Sequence, residues 1–161
     1  MADPRFPTTL AIRQLDQMKV TWTGHTFAYV DKGGTKHSST QLGVPEHEVI
    51  KTLVFEDENK QPLIVLMHGD KSVSTKSLAR FLGKKKIDPC KPEVAERHTG
   101  YKVGGTSPFG LRKALPIYAE ATIFELPRIF INGGQRGFLV EIQPRDLEGV
   151  LGPTRVEVAI D

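Results

Sequence analysis

Two apolar runs near the middle of the chain constrain the fold most strongly. Residues 63–67 are entirely apolar, and residues 50–55 carry only Lys51 and Thr52 as polar members. The polar segment 56–60 separates the two runs, and this pattern is typical of two strands joined as a hairpin. A chain of 161 residues is long enough to bury one substantial core around such a hairpin. We therefore expect one domain spanning residues 1–161.

Helices and strands are predicted without strict alternation along the rest of the chain. Thr8 or Thr9 can cap a first helix, and Ser74 can cap another that Gly83 ends. Because strands outnumber helices and do not alternate with them, the pattern predicts an α+β fold and not a doubly wound parallel sheet. The other predicted helices are 38–42, 92–98 and 144–151, the other strands are 20–30, 116–118, 123–124, 128–131, 138–142 and 155–160, and a tight turn is predicted at 132–134.

The charge balance leans slightly towards anionic partners. The formal net charge is +3 with a pI near 9.0, which is too small an excess to indicate nucleic-acid binding by itself. Local basic clusters are open to two interpretations, a solvated surface or phosphate contact. They comprise Arg80, Lys84, Lys85, Lys86, Lys91, Arg112 and Lys113.

The compartment is predicted from what the sequence lacks. The first residues contain no apolar signal core, and no apolar run approaches the roughly 20 residues of a membrane span. The single cysteine, Cys90, rules out an internal disulfide and fits a reducing environment. We expect a cytoplasmic protein without membrane contact.

Residues 99–110 form the segment with the most unusual composition. Four glycines and Pro108 fall within these twelve residues, and Gly104 and Gly105 are adjacent. Glycine permits positive φ and close approach of a ligand to the backbone, and successive N–H groups in such a loop can bind an anion or a carbonyl oxygen. A tight structural turn is the alternative interpretation.

Side chains that could act as nucleophiles or metal ligands form no recognised motif. Cys90 has no neighbouring base pattern and is more typical of a half-buried structural thiol. Ser107 lies outside any Gly-x-Ser-x-Gly elbow, and a P-loop is absent. The five histidines are scattered without metal-binding spacing. We therefore expect no metal and no cofactor.

Lys51 stands out because the rest of its predicted strand is largely apolar. A lysine in such a strand either extends its ammonium to water or points into a polar site. Spacing alone leaves both interpretations open.

Four separated motifs resemble one known family. They are residues 49–54, 78–86, 95–110 and 132–137, and the resemblance extends from about residue 9 to residue 151. Together they resemble the YbaK/EbsC family, which is similar to the editing insertion domain of bacterial prolyl-tRNA synthetases. The resemblance implies an α+β fold with a mixed, largely antiparallel β-sheet that curls toward a barrel, with helices around it.

The resemblance also implies an activity. Studied members are free-standing, trans-editing deacylases that remove a wrongly attached small amino acid, especially cysteine, from tRNA(Pro). The implied partners are aminoacyl-tRNA(Pro), with tRNA(Cys) as a second candidate, and prolyl-tRNA synthetase.

Site residues follow from the same resemblance. Lys51 matches the essential lysine of the family, and Gly104 and Gly105 match the glycine loop that lines the aminoacyl pocket, so these three are the implied catalytic residues. The implied substrate-binding residues are Phe27, Tyr29, Thr52, Ser107, Pro108, Gly110, Gly134 and Arg136.

The implied chemistry requires no protein nucleophile. An aminoacyl ester is already activated, so backbone N–H groups of Gly104 and Gly105 could stabilise charge on its carbonyl oxygen. The Lys51 ammonium could hold the terminal ribose or phosphate. In the cysteine-editing members, the substrate thiol itself attacks the ester.

Two positions depart from the family pattern. Phe27 lacks the hydroxyl of the tyrosine common there, and Leu139 replaces an acidic side chain. Both changes make the expected pocket more apolar and leave alanine open as the edited residue. They also motivate an alternative function, a non-catalytic or altered-specificity module that binds tRNA ends or a synthetase. A general nucleic-acid binder using residues 84–86 is a third hypothesis.

Overall fold

The structure, a computed structural model, describes residues 3–161. Five α-helices and ten strands build this part of the chain, together with short 3₁₀ helices at Glu46–Glu48 and Ala121–Glu125. The helices are α1 (Leu10–Gln17), α2 (Gly34–Leu42), α3 (Thr75–Leu82), α4 (Pro92–Thr99) and α5 (Pro144–Leu151). The strands are β1 (Thr23–Thr26), β2 (Val49–Asp57), β3 (Pro62–His68), β4 (Ser72–Val73), β5 (Ile87–Pro89), β6 (Ile117–Glu120), β7 (Ile129–Gln135), β8 (Phe138–Ile142), β9 (Thr154–Val156) and β10 (Ala159–Ile160).

Eight of these strands form one mixed sheet. Its order is β1-β8-β7-β2-β3-β6-β9, with β5 added to β2 beside this path, and β4 pairs with β10 separately. Parallel pairs join β2 to β7, β3 to β6 and β6 to β9, and the other pairs are antiparallel. Within residues 3–161 the sheet stays open, because β1 and β9 end its path without pairing to each other.

The central hairpin separates two apolar clusters. Successive residues of each strand point to opposite faces, so Ile50 and Ile64 join the main cluster with α1 and α5, whereas Phe55 and Leu63 join a second cluster under α3. Residues 64–67 are fully buried. The apolar run of β3 is therefore explained by burial on both faces.

Capping residues fix the helix ends that flank the sheet. The Thr9 hydroxyl accepts a hydrogen bond from the Ile12 N–H, and the Ser74 hydroxyl accepts one from the Ser77 N–H. Gly83 ends α3 in the left-handed conformation. These caps are as the sequence predicts.

The predicted mixed sheet and the 50–55/63–67 hairpin are confirmed, but several local predictions are wrong. Residues 123–124 are 3₁₀ helix and not strand, and the predicted last strand divides into β9 and β10. The turn predicted at 132–134 lies inside β7 as a bulge, because the Asn132 side chain accepts hydrogen bonds from the Gly134 and Gln135 N–H groups. Across residues 3–161, no helix is long and apolar enough to cross a membrane.

The glycine-rich loop docks on the start of α1 through Gly110. The Gly110 N–H donates to Gln14 Oε1 at 2.6 Å. Its φ is +61°, and a Cβ there would lie 2.4 Å from the carbonyl carbon and oxygen of Leu10. Gly110 therefore has a packing reason to be glycine that is independent of any substrate.

Substituting Gly110 tests this packing. Gly110→Ala should lower the free energy of unfolding by at least about 2 kcal/mol, since both the positive φ and the backbone contact oppose a side chain. Urea unfolding followed by circular dichroism measures the change.

Gly149→Ala is the matched control. Gly149 lies within α5, and a Cβ there meets no atom within 4 Å. This variant should be more stable by about 0.5–1 kcal/mol. Equal stability of the two variants would show that Gly110 is not constrained in this way.

Candidate active site

A gap along one edge of β2 defines the candidate site. On this edge β7 pairs only with Val49 and Ile50, and β5 pairs only with residues 55–57. Within residues 3–161, residues 51–54 therefore have no neighbouring strand on this edge, although β3 pairs with them along the other. A cavity of about 710 Å³ borders this stretch.

The cavity receives side chains from both faces of the sheet. Adjacent strand residues point to opposite faces, so Lys51 and Thr52 cannot share a face. Both nevertheless line the cavity, because it extends around the free edge of β2.

The Lys51 ammonium is anchored to a nearby turn. Its Nζ donates a hydrogen bond to the carbonyl oxygen of Lys71. Partial burial lowers the pKa of Lys51 from its ordinary value, and the carboxylates of Glu46 and Asp70 oppose this shift. The side chain is thus a half-buried cation at the cavity wall.

Two stacked histidines hold the 68–71 turn that carries this carbonyl. His68 Nδ1 lies 2.8 Å from the His47 carbonyl oxygen, and its Nε2 lies 2.7 Å from Thr122 Oγ1. The His47 ring stacks on the His68 ring at 3.8 Å, and His47 Nδ1 contacts the Asp70 carboxylate at 2.8 Å. Burial lowers the pKa of His68, which favours its neutral form.

Gly69 allows the turn to pack this closely. A Cβ at Gly69 would lie 2.6 Å from the Glu46 carbonyl oxygen and 2.8 Å from Thr35 Oγ1. The turn is therefore fixed against the segment before β2, and this fixes the position of the Lys51 ammonium.

The glycine loop closes another wall of the cavity at Gly104. Its φ is +91°, and a Cβ there would lie 2.6 Å from the Tyr29 hydroxyl oxygen. The Asn132 side-chain amide donates to the Gly104 carbonyl at 3.1 Å, and Arg136 Nε donates to the Val103 carbonyl at 2.9 Å. The Arg136 guanidinium also lies 4.9 Å from the centre of the Tyr29 ring. Tyr29, Gly104 and Arg136 therefore meet at the cavity.

The two adjacent glycines have different surroundings. The Gly105 N–H already donates to the Lys102 carbonyl at 2.8 Å, and Gly105 is buried against the Arg136 backbone. In this structure Gly105 is therefore not available as a donor to a carbonyl oxygen in the cavity. Gly104 lines the cavity and Gly105 does not.

The other residues of the glycine motifs pack away from the cavity and stabilise the loop. Ser107 is fully buried, and its hydroxyl accepts a hydrogen bond from the Phe109 N–H at 3.2 Å. Gly134 packs against Tyr101 and Thr9. Of the predicted site residues, Phe27, Tyr29, Lys51, Thr52, Gly104 and Arg136 line the cavity, whereas Gly105, Ser107, Pro108, Gly110 and Gly134 do not.

An apolar cluster forms another wall of the cavity. Leu139 is 5% exposed and packs with Val49 and Phe130, and Phe27 packs against this cluster. Phe27 and Leu139 both line the cavity. The two departures from the family pattern therefore occupy one apolar wall.

Two polar atoms at the site have unusual surroundings. Thr52 Oγ1 is buried without a hydrogen-bond partner in residues 3–161. The Cys90 thiol lines the cavity, and burial followed by the nearby Glu56 carboxylate raises its pKa to about 11. Cys90 is thus a protonated thiol near neutral pH, which disfavours it as a nucleophile.

The 68–71 turn and Asn132 belong to the site but are not among the site residues predicted from the sequence. Pairing residues 50–55 with 63–67 around the loop 56–60 places the turn 68–71 beside Lys51. The register of the predicted hairpin is therefore a sequence signal for this turn. The contact of Asn132 with Gly104 joins residues 28 positions apart, and no sequence signal indicates it. No cluster of three potential metal-ligating side chains occurs in the described part of the chain.

The family is shown by comparison with known proteins. A family model for the aminoacyl-tRNA editing domain matches residues 34–150, more than half of the chain. The chain belongs to the aminoacyl-tRNA editing domain family, which confirms the resemblance seen in the four motifs.

The chain is similar to several individual proteins. EbsC of Enterococcus faecalis, provisionally named a Cys-tRNA(Pro)/Cys-tRNA(Cys) deacylase, is 30% identical over 94% of this chain and 91% of its own length. The proline–tRNA ligase of Geobacter metallireducens is 31% identical over 64% of this chain and 17% of the ligase. A crystal structure provisionally described as a trans-editing enzyme for prolyl-tRNA synthetase superposes with a TM-score of 0.82 at 20% identity, covering 97% of this chain and all of that one.

The thiol of Cys90 provides a test of the site's electrostatics. A pKa of about 11, against an ordinary value of 9.0, should slow iodoacetamide alkylation at pH 7.5 about 100-fold relative to free cysteine. Mass spectrometry over time measures the rate.

Glu56→Gln supplies the comparison. Removing this carboxylate should lower the Cys90 pKa and speed the reaction, with the protein still folded. Alkylation of the wild type as fast as free cysteine would contradict the described environment.

Proposed function

We propose that this protein is a trans-editing deacylase that removes a wrongly attached small amino acid, cysteine first, from tRNA(Pro). The observation that carries the proposal is the Lys51 ammonium held at a cavity that Gly104 also lines. Membership of the editing family supplies the substrate class, aminoacyl-tRNA. The name of the EbsC relative supports cysteine on tRNA(Pro), with tRNA(Cys) as a second substrate.

The cavity has room for more than an amino acid. Its volume of about 710 Å³ is within the range of sites for drug-sized ligands. We assign it to the aminoacyl group together with the terminal adenosine. Lys51 then holds the ribose or its phosphate, and Arg136 and Tyr29 line the wall beside Gly104.

Neither Cys90 nor Ser107 is an activated nucleophile, which favours attack by the substrate. Cys90 is protonated near neutral pH. The Ser107 hydroxyl is buried and accepts a hydrogen bond from the Phe109 N–H within the loop. With Cys-tRNA, the substrate thiol attacks its own ester carbonyl, a carbon–sulfur bond forms, and the carbon–oxygen bond to the ribose breaks. The thiol proton goes to the released ribose oxygen, and the amino acid leaves as a thiolactone.

The apolar wall favours small side chains without a hydroxyl. A prolyl-tRNA synthetase site rejects small amino acids by only about 1–3 kcal/mol, so a second sieve is required. Phe27 and Leu139 offer no hydrogen-bond partner, and burying an unpaired serine hydroxyl is costly. The apolar wall therefore ranks serine last for binding, and attack by the substrate thiol ranks cysteine ahead of alanine for cleavage.

A binding module without catalysis is the second candidate. Phe27 and Leu139 favour it, because both remove polar groups from the cavity wall. Such a module would bind tRNA ends or prolyl-tRNA synthetase and would leave the ester intact. Either function places the protein where aminoacyl-tRNA is made, in the cytoplasm.

A deacylation panel tests the proposal. Wild-type protein should release cysteine from Cys-tRNA(Pro) faster than alanine or serine from the corresponding tRNAs, and should leave Pro-tRNA(Pro) intact. Lys51→Ala should lower kcat/KM for Cys-tRNA(Pro) at least about 100-fold, the range expected when a charged contact to the transition state is lost. Acid-precipitable radioactivity gives the rates.

Lys76→Ala is the matched control, because Lys76 is exposed on α3 and lies outside the cavity lining. It should retain the wild-type rate. Binding of tRNA without turnover of any aminoacyl ester would favour the non-catalytic module. Turnover that Lys51→Ala leaves unchanged would show that Lys51 has no part in it.

A further inference from the structure

Hydrogen bonds elsewhere in the hairpin show which residues of β2 direct their N–H and carbonyl groups to its free edge. The Asp57 N–H donates to the Gln61 carbonyl at 3.1 Å, which makes this the first hydrogen-bonded pair of the β2/β3 ladder. In an antiparallel ladder, hydrogen-bonded and non-hydrogen-bonded pairs alternate. The backbone groups of residues 55, 53 and 51 therefore point to β3, and those of Thr52 and Val54 point to the opposite edge.

Two other hydrogen bonds agree with this assignment. The Ile64 N–H, which belongs to a non-hydrogen-bonded pair, donates away from β2 to the Pro116 carbonyl at 2.9 Å. The Val54 carbonyl accepts from the Cys90 N–H at 3.0 Å, also away from β3. Even-numbered residues of the hairpin thus direct their backbone groups outwards on both strands.

Three main-chain groups remain at the gap. Within residues 3–161 the Thr52 and Val54 N–H groups donate no hydrogen bond to another element, and the Thr52 carbonyl accepts none. Paired backbone groups are the rule inside proteins, and here the unpaired groups border the cavity. The buried, unpartnered Thr52 Oγ1 lies at the same residue.

A single residue can satisfy both groups of Thr52. In an antiparallel hydrogen-bonded pair, two opposed residues exchange both of their N–H···O bonds. An aminoacyl group has an α-ammonium donor and a carbonyl acceptor at the spacing of one residue. It can therefore complete such a pair without any further chain.

We propose that the free edge of β2 binds the aminoacyl group as a one-residue β-bridge to Thr52. The Thr52 carbonyl accepts from the substrate α-ammonium, and the Thr52 N–H donates to the ester carbonyl oxygen. This inference rests on the proposed function and names a donor for the ester that is distinct from the glycine loop, where the Gly105 N–H is already used. Thr52 follows Lys51 directly, so the bridge places the ester beside the anchored ammonium.

The Val54 N–H provides an internal control. It lies on the same free edge, but two residues along a strand span about 7 Å, so it cannot reach the same carbonyl oxygen. Occlusion of the cavity alone would affect both N–H groups, whereas the bridge affects the Thr52 N–H.

Amide NMR of the ¹⁵N-labelled full chain tests the bridge with a non-cleavable probe, 3′-deoxy-3′-(alanylamido)adenosine. At saturation the Thr52 amide proton should move downfield and exchange with D₂O about tenfold more slowly, the scale of one added hydrogen bond. The Val54 amide should change much less. The probe without an aminoacyl group, 3′-amino-3′-deoxyadenosine, should leave the Thr52 exchange rate unchanged.

The outcomes separate this inference from the proposed function. If the alanylamido probe binds and shifts signals around Lys51 but leaves Thr52 unchanged, or affects Val54 and not Thr52, the bridge is overturned and the proposed function stands. If saturating probe changes no signal of the protein, both are overturned.

Thr52→Val separates the backbone from the side chain. It keeps the N–H and removes a hydroxyl that has no partner in the described residues 3–161, so the amide response at position 52 should persist. Loss of the response in this variant would assign the contact to the hydroxyl and overturn the bridge.

Discussion

The unequal pairing of the two edges of β2 is the constraint on which the site depends. β3 pairs with β2 along almost its whole length, so the strand is rigid and its register is fixed. On the other edge, β7 and β5 pair only with its two ends. A cavity can therefore form within the sheet without loss of the core, because the two apolar clusters lie on either face of the same hairpin.

Everything else at the site is placed relative to this edge. The 68–71 turn continues from β3, and the stacked rings of His47 and His68 fix it so that its carbonyl holds the Lys51 ammonium. From the other direction, the bulged end of β7 brings Asn132 to the Gly104 carbonyl. Rigid elements thus position both the cation and the loop, which pre-organisation for catalysis requires.

The sequence predicts those parts of the molecule that local patterns encode. Apolar runs separated by a polar segment predict β2 and β3, and the capping residues Thr9 and Ser74 predict helix starts. These signals are local because they depend only on residues adjacent in sequence. β5 is three residues long and its pairing with β2 is non-local, so the gap it borders has no local signal. The family resemblance places Gly105 beside the substrate, but its packing against the Arg136 backbone explains a glycine at this position equally well.

A crystal structure of the protein with bound 3′-deoxy-3′-(alanylamido)adenosine tests most directly whether the gap along β2 binds the substrate. The aminoacyl group should lie in the gap between β7 and β5, with the ribose within hydrogen-bond distance of the Lys51 ammonium and the methyl group against Phe27 and Leu139. An aminoacyl group bound outside this gap, with Lys51 still directed only to the Lys71 carbonyl, would contradict a substrate-binding role for the gap.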